Sequence, residues 1–223
     1  MIHVMTDIKR PTKELVESFK EIGTATVHEA SGRKGAVDHG VKPIAGGVRL
    51  CGPAFTVQCH PGDNLMLHKA LERAQPGDVL VTSVGGCYGF GYWGGLMATS
   101  AVAKKLGGLA IEGCIRDSAE IIQMGFPVFC RGFCIRGTTK TVLGLINHPI
   151  LFGGILVHPG DLILGDDDGL VVVERNECEE VLKKSIKRIE AEKIKSEKLK
   201  SGISSMELNK LDKVFEFLGL VEE

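Results

Sequence analysis

The chain has 223 residues and a formal net charge of −1, with 43% hydrophobic and 25% charged residues. This length suits one domain with a sizeable core, and these fractions are typical of an ordinary soluble globular protein. The near-zero charge, with only nine Phe, two Tyr and one Trp, gives no basis for expecting nucleic acid or a membrane surface as a partner.

The seven cysteines form no CxxC pair, which indicates reduced thiols with structural roles. The first residues lack the basic segment and apolar run of a secretion signal. No stretch approaches the ~20 apolar residues needed to span a bilayer. We therefore expect a cytoplasmic protein.

The first half of the chain alternates helical and strand patterns. A helix is predicted after Thr12, a suitable N-cap, because Leu15, Phe19 and Ile22 recur at helical spacing. Strands alternating with short helices predict an α/β fold whose sheet contains parallel strands. The predicted strands are 53–59, 78–83, 109–112 and 127–130, and the predicted helices are 64–73, 96–105 and 118–124.

The pattern changes beyond Gly137. Apolar segments at 149–157 and 161–173, with turn signals at 159–160 and 166–169, predict antiparallel strands that complete the domain. A charged helix is then predicted from 176 to about 200, and a short amphipathic helix from about 206 to 218. We therefore expect an α/β domain at 1–175 and a helical arm at 176–223 that packs on a neighbouring subunit.

The adjacent pair Arg116-Asp117 follows a predicted strand, at the carboxyl edge where open α/β sheets place ligands. An arginine binds an oxyanion through its planar N–H donors, and an aspartate binds a hard divalent cation through oxygen. The competing interpretation is an N-cap aspartate that opens the helix at 118–124, preceded by an exposed arginine. From the residues alone, neither interpretation outweighs the other.

A glycine-rich loop at 85–95 ends in the turn Tyr92-Trp93-Gly94-Gly95, before a predicted helix. The backbone N–H groups of Gly95, Leu96 and Met97 at a helix start would suit a small carboxylate. The alternative is a flexible connection that needs positive φ. GxxxxGK[ST] is absent and no GxGxxG follows the strand, so the loop is not a phosphate-binding motif of either kind.

Other polar clusters have simpler structural explanations. His28 and Arg33 flank the end of the first predicted helix, with Gly32 as its terminator, although a role at a second substrate carboxylate is the alternative. His68 lies on an otherwise apolar helix, which favours a core or interface position. The acidic segment 166–169 lacks the ligand spacing of a calcium loop and reads as a tight hairpin turn.

Taken together, these motifs resemble the class II pyruvate aldolases that act on 4-hydroxy-4-methyl-2-oxoglutarate and 4-carboxy-4-hydroxy-2-oxoadipate. The same fold family includes the RraA regulators of ribonuclease activity, which are shorter and lack the tail. The resemblance covers nearly the whole chain. The matching segments are 24–30, 32–35, 61–64, 76–81, 91–94, 96–100, 116–117, 124–126, 159–161 and 166–169.

The resemblance implies an RraA-like α/β/α core with a mixed sheet and a C-terminal helical arm, assembled as a trimer or hexamer. It implies a lyase that releases pyruvate from a 4-hydroxy-2-oxo acid and also decarboxylates oxaloacetate. By position, Arg116 would bind the pyruvate oxygens and Asp117 would hold Mg²⁺ or Mn²⁺. Glu192 would reach the metal of a neighbouring subunit through water. The carboxylate of the substrate would be held by the turn residues Gly94, Gly95, Leu96 and Met97.

One departure from the family pattern concerns position 95. Active aldolases of the family usually carry an aspartate there, 21 positions before the arginine of the Arg-Asp pair, and this chain has Gly95. The missing carboxylate motivates a second hypothesis, a non-catalytic RraA-like regulator that binds a protein. A third is a family enzyme for a different small oxo or hydroxy acid. Asp117, which the regulators commonly lose, favours the enzyme.

Overall fold

The computed structural model describes residues 2–221. Its helices are α1 Lys13–Phe19, α2 Thr24–Ala30, α3 Leu65–Arg73, α4 Gly95–Ala103, α5 Ser118–Gln123, α6 Cys178–Lys200, α7 Ser205–Asn209 and α8 Asp212–Leu218. Its strands are β1 Lys42–Pro43, β2 Leu50–Gln58, β3 Val79–Ser83, β4 Gly91–Trp93, β5 Gly108–Glu112, β6 Cys114–Ile115, β7 Val128–Cys130, β8 Gly132–Phe133, β9 Leu145–Ile146, β10 Ile150–Phe152, β11 Ile155–Val157, β12 Leu162–Asp166 and β13 Gly169–Val173.

The main sheet has the strand order β1-β7-β5-β3-β2-β12-β13, with β9 also paired to β2. The central strands β7, β5, β3 and β2 are parallel, whereas β12, β13, β9 and β1 pair antiparallel. The predicted mixed α/β fold is therefore confirmed. A smaller parallel sheet, β4-β6-β8, continues beyond the carboxyl ends of β3, β5 and β7.

Alternation along the central strands separates two faces of the sheet. Leu80 and Leu109 pack on one face with the cluster that contains α3 and α4. Val81 and Ala110 pack on the other face with Phe152 and the β10–β11 hairpin. Helices α1, α2 and α6 cover β12 and β13 in a third cluster. Both faces of the sheet are thus buried, as parallel strands require.

The early helical segment and the tail differ from the predicted boundaries. The chain forms two helices where one was predicted, because α1 ends at Phe19 and Gly23 opens α2. The predicted helix at 206–218 is also two helices, since Lys210 adopts a left-handed conformation with φ 55° between α7 and α8. The hairpin predicted at 166–169 is confirmed, with Asp166 paired to Gly169.

The described part of the chain, residues 2–221, contains no helix with the length and hydropathy required to cross a membrane.

Candidate active site

Arg116 and Asp117 lie where β6 ends, beside the turn that connects β4 to α4. The N–H of Arg116 donates to the carbonyl of Trp93 at 2.9 Å, which fixes the pair against this turn. Trp93 is fully buried and stacks on Phe126, so the turn rests on a rigid base. Both side chains of the pair are about half exposed, and Arg116 Nε lies 3.6 Å from Asp117 Oδ2. The guanidinium and the carboxylate are therefore accessible to a small ligand.

Asp117 does not cap its own helix. It occupies the N-cap position of α5 in the left-handed conformation, with φ 58° and ψ 33°, and its carboxylate makes no capping bond to α5. Instead, Oδ2 accepts the N–H of Gly95 at 3.0 Å. Asp117 therefore opens α5, as the N-cap interpretation expected, but its carboxylate bonds to the Gly95 turn and does not cap the helix. A non-glycine residue in this region stores strain, and such strain collects at ligand sites.

A pocket of about 230 Å³ opens at this point and contains most of the residues predicted for substrate binding. Gly94, Leu96, Met97, Arg116 and Asp117 line it, whereas Gly95 does not. Two of the predicted backbone donors already have partners. The Gly95 N–H bonds to Asp117, and the Met97 N–H bonds to the Gly94 carbonyl at 3.1 Å. A carboxylate cradle would therefore rely on the N–H groups of Gly94 and Leu96 together with Arg116.

The space beside Gly95 is occupied by a carboxylate that the sequence reasoning missed, that of Glu120. A Cβ atom built on Gly95 would contact both carboxylate oxygens of Glu120 and lie 2.6 Å from its Cδ. Glu120 is on α5, three residues beyond Asp117, so both acidic side chains reach the Gly94-Gly95 turn from one helix start. A Cβ on Gly94 would likewise meet Asp117 Oδ2 at 2.5 Å. The sequence signal was the short spacing between two acids, which is too common to be decisive.

Glu192 lies elsewhere in the chain. It is on α6, where it pairs with Arg188 at 2.8 Å, and it does not line this pocket in the described residues. Helix α6 packs on α1 and α2, away from the Gly94-Gly95 turn. Its predicted contact from a neighbouring subunit stays a prediction.

The opposite wall of the pocket is polar and partly cationic. It includes Asn64, His68 and Lys140. His68 is exposed in the single chain, so the core alternative of its prediction is wrong, and the interface alternative stays a prediction. Partial desolvation of the ring and the nearby positive charge of Lys140 lower its pKa. Asn64 is buried, donates to the Tyr92 carbonyl at 2.8 Å, and leaves its Oδ1 without a partner among the described residues.

His28 and Arg33 do not reach this pocket. The Arg33 N–H donates to the His28 carbonyl at 2.9 Å, and Gly32 is left-handed with φ 76°, which confirms the predicted helix terminus. The Arg33 side chain pairs with Glu29 at 3.2 Å. Neither residue lines the pocket that contains Arg116.

Asp63 holds the wall around Lys140 in place. Burial alone would raise the pKa of Asp63, but its hydrogen bonds outweigh that effect and lower the pKa to about 2. These bonds connect the start of α3 to the segment 139–142. The donors are the N–H groups of Thr141, Leu65 and Val142 and the hydroxyl of Thr139, at 2.6, 2.8, 3.2 and 2.8 Å.

Asp63→Asn is therefore expected to lower the free energy of unfolding by an amount that depends on pH. The folded pKa lies below that of the unfolded chain, so the ionised Asp63 stabilises the fold fully above about pH 4. This contribution, about 2 kcal/mol, is lost as the pH falls to about 2. Urea unfolding of wild type and variant between pH 5 and 2 measures it. A difference in unfolding free energy that does not shrink with acid would contradict the assignment.

The donor set at the turn fits a hard divalent cation. Asp117 and Glu120 supply carboxylate oxygens on an accessible surface, and Mg²⁺ is usually bound by one or two carboxylates plus water and substrate oxygens. No group of three or more His, Cys, Asp or Glu suited to a metal occurs within residues 2–221, so a cage built wholly of one chain's side chains is absent there.

A family model described as RraA-like, Aldolase/RraA, matches residues 24–172, which include the turn, the Arg116-Asp117 pair and Glu120. The chain belongs to the RraA-like family. A relative from Halalkalibacterium halodurans is 36% identical over 78% of this chain and 83% of its own length, and bears the provisional name of a 4-hydroxy-4-methyl-2-oxoglutarate aldolase. A relative from Burkholderia multivorans with the same provisional name is 30% identical over 70% of this chain and 96% of its own.

The RraA-like fold is also found in solved structures that carry a different functional description. The crystal structure of RraAS2 from Streptomyces coelicolor has a TM-score of 0.77 and 30% sequence identity, covering 85% of this chain and 99% of that one. It is described as an unusual member of the RNase ES inhibitor RraA protein family. The proteins similar to this chain thus include two with a provisional aldolase name and one assigned to an RNase ES inhibitor family.

Proposed function

We propose that this RraA-like protein is a divalent-metal-dependent lyase that cleaves a 4-hydroxy-2-oxo acid to pyruvate. Its substrate would be 4-hydroxy-4-methyl-2-oxoglutarate or 4-carboxy-4-hydroxy-2-oxoadipate, and oxaloacetate decarboxylation would accompany the cleavage. The observation that carries the proposal is the convergence of Arg116, Asp117 and Glu120 on the Gly94-Gly95 turn. The names of the two relatives support the aldolase reaction class.

The chain's own residues account for the central steps. Breaking the C–C bond develops negative charge on the oxo group of the pyruvate fragment, and the guanidinium of Arg116 donates hydrogen bonds to that charge. Asp117 and Glu120 would hold Mg²⁺ or Mn²⁺, which when bound acts as a Lewis acid. The bond from Gly95 to Asp117 fixes the orientation of that carboxylate. Loss of CO₂ from oxaloacetate develops charge at the same position, so one site serves both reactions.

Glu120 is proposed to supply the carboxylate that position 95 lacks. Its oxygens lie where the side chain of an aspartate at 95 would begin. A carboxylate there can orient water and accept the proton of the substrate's C4 hydroxyl. Glu192 of a neighbouring copy would contribute a further carboxylate. The ammonium of Lys140, on the same pocket wall as His68, suits a substrate with a second carboxylate.

The test is pyruvate release, measured with lactate dehydrogenase and NADH. With Mg²⁺ or Mn²⁺ we expect turnover of at least one of the two hydroxy-oxo acids and of oxaloacetate. We expect EDTA to abolish it and added metal to restore it, because the two carboxylates bind the cation through oxygen. A rate equal to the metal-only background, with or without EDTA, would contradict the lyase. A panel of other oxo and hydroxy acids would identify a different substrate.

A second candidate, a protein-binding regulator, is favoured by exposed apolar side chains beside the pocket. Leu96 and Ile135 are 88% and 95% exposed. Copurification of a defined ribonuclease with the protein, combined with no metal-dependent turnover, would favour this function over the lyase.

The arm is proposed to pack on another copy of the chain, in a trimer or hexamer. Its apolar side chains support this proposal, since Phe217 and Leu218 are 89% and 71% exposed. Sedimentation velocity of the full chain and of a Phe217→Ser, Leu218→Ser variant tests it. A monomeric wild type would contradict the proposal.

A further inference from the structure

A second cavity lies at the opposite end of the sheet from the Arg116 pocket. Its volume is about 520 Å³, a size typical of small-molecule sites. Helix α1, the start of β2, and the turns at 75–77 and 105–107 enclose it. These turns precede β3 and β5, so the cavity faces the amino ends of the parallel strands. None of the residues assigned to the lyase site lines it.

The wall of this cavity is apolar and closely packed. Val16, Leu50 and Pro53 contribute apolar surface, and burial raises the pKa of Cys51 to about 12, so its thiol is neutral. The backbone beneath is tight, because a Cβ on Gly107 would lie 2.6 Å from the carbonyl oxygen of Gly77. The cavity therefore offers an apolar wall, next to a closely packed backbone turn, that suits an apolar group.

The rim is positively charged after internal ion pairs are taken into account. Of the five basic residues that line the cavity, Arg10 is neutralised by the buried Asp78 at 2.7 Å, and Lys20 pairs with Glu17 at 2.6 Å. Glu21 is the remaining acidic lining residue. Three cations and one carboxylate therefore remain among the lining residues, and one of the cations, Arg49, also donates to the Ile22 carbonyl at 3.2 Å. These cations are Lys13, Arg49 and Lys105.

We propose that this cavity is a binding site for a small amphipathic anion, with an apolar body on the Val16–Pro53 wall and its anionic group at Lys13, Arg49 and Lys105. The apolar wall excludes a fully hydrated ion such as phosphate as the preferred ligand. The excess of cations disfavours a neutral or cationic ligand of the same shape. The site is independent of the lyase proposal, because the two pockets share no residue.

The test uses 8-anilinonaphthalene-1-sulfonate, an aromatic monoanion whose fluorescence rises in apolar surroundings. N-phenyl-1-naphthylamine, the same skeleton without the sulfonate, is the matched neutral probe. With the full-length protein we expect saturable binding of one sulfonate probe per chain and at least tenfold weaker binding of the neutral probe. In the double variant Lys13→Gln, Lys105→Asn, the affinity for the sulfonate probe should fall by on the order of tenfold, because two charge contacts are lost.

The Lys105→Asn substitution has a closely matched control elsewhere in the chain. Lys105 is left-handed with φ 57°, a conformation that Asn tolerates, so Lys105→Asn removes the charge without backbone strain. Lys210 is left-handed as well, with φ 55°, and lies on the arm. Lys210→Asn should leave probe affinity unchanged. Equal affinities for both probes, or equal losses in the Lys105 and Lys210 variants, would overturn the site. If the wild type self-associates and the sulfonate probe does not bind to the assembled protein, that result would overturn the site as well.

Discussion

Arg116→Ala is expected to lower kcat for pyruvate release by ~10²–10³, the usual cost of removing a donor to a developing oxyanion. The guanidinium is half exposed and paired only with Asp117 among the described residues, so its removal leaves no buried charge behind. The unfolding free energy should therefore stay within about 0.5 kcal/mol of wild type. Steady-state kinetics with oxaloacetate, combined with urea unfolding, separates the two effects. A variant with wild-type kcat would contradict the role of Arg116.

Asp117→Asn is the companion test, because it removes the charge and little else. Asn adopts the left-handed conformation readily, and its side-chain oxygen can still accept the Gly95 N–H. We expect metal-dependent turnover to fall at least as far as in the arginine variant. Asp168→Asn, in the β12–β13 turn, is the control and should retain wild-type activity. If Asp117→Asn turned over substrate as fast as the Asp168→Asn control, a metal-binding role for Asp117 would be refuted.

The sequence predicted the elements whose signals are local. The helix after Thr12 is capped as expected, by an N–H bond from Leu15 to the Thr12 hydroxyl at 3.2 Å. The β12–β13 hairpin followed from its acidic, glycine-ended turn. In both cases, a few neighbouring residues determine the backbone. The break at Lys210 was not predicted, because the left-handed conformation there occurs at a residue type that rarely adopts it.

The candidate site could not be predicted fully from the sequence, because it depends on contacts between segments that are distant in the chain. The Arg116-Asp117 pair is visible in the sequence, but the choice between helix cap and ligand depends on the bond from Gly95, which is 22 residues away. Glu120 was missed for a related reason. Its proposed role depends on α5, which places the Glu120 carboxylate against the Gly94-Gly95 turn, where side chains are absent. The family resemblance identified the missing carboxylate at position 95, and the three-dimensional packing shows that the Glu120 carboxylate lies beside that position.

The second large effect concerns Gly95 and Glu120, which compete for one space. Gly95 begins α4 and has no positive φ, so the backbone accepts an aspartate there. An added Cβ would touch the Glu120 carboxylate, the end of a flexible and exposed side chain, so this carboxylate would have to move. Gly95→Asp alone should therefore displace Glu120 and crowd the turn with like charges. Glu120→Ala alone should remove the second carboxylate, and each single variant should lose about 10- to 100-fold in kcat/KM.

The double variant Gly95→Asp, Glu120→Ala should recover much of that loss, because the aspartate then enters the space that Glu120 vacates. The two effects are thus expected to be strongly non-additive, as for residues that share one task. Measuring kcat/KM and the Mg²⁺ concentration for half-maximal rate in all four proteins closes the cycle. If the double variant instead shows the product of the two single losses, Glu120 and position 95 act independently. In that case a carboxylate from a neighbouring copy of the chain, such as Glu192, would have to supply the function proposed for Glu120.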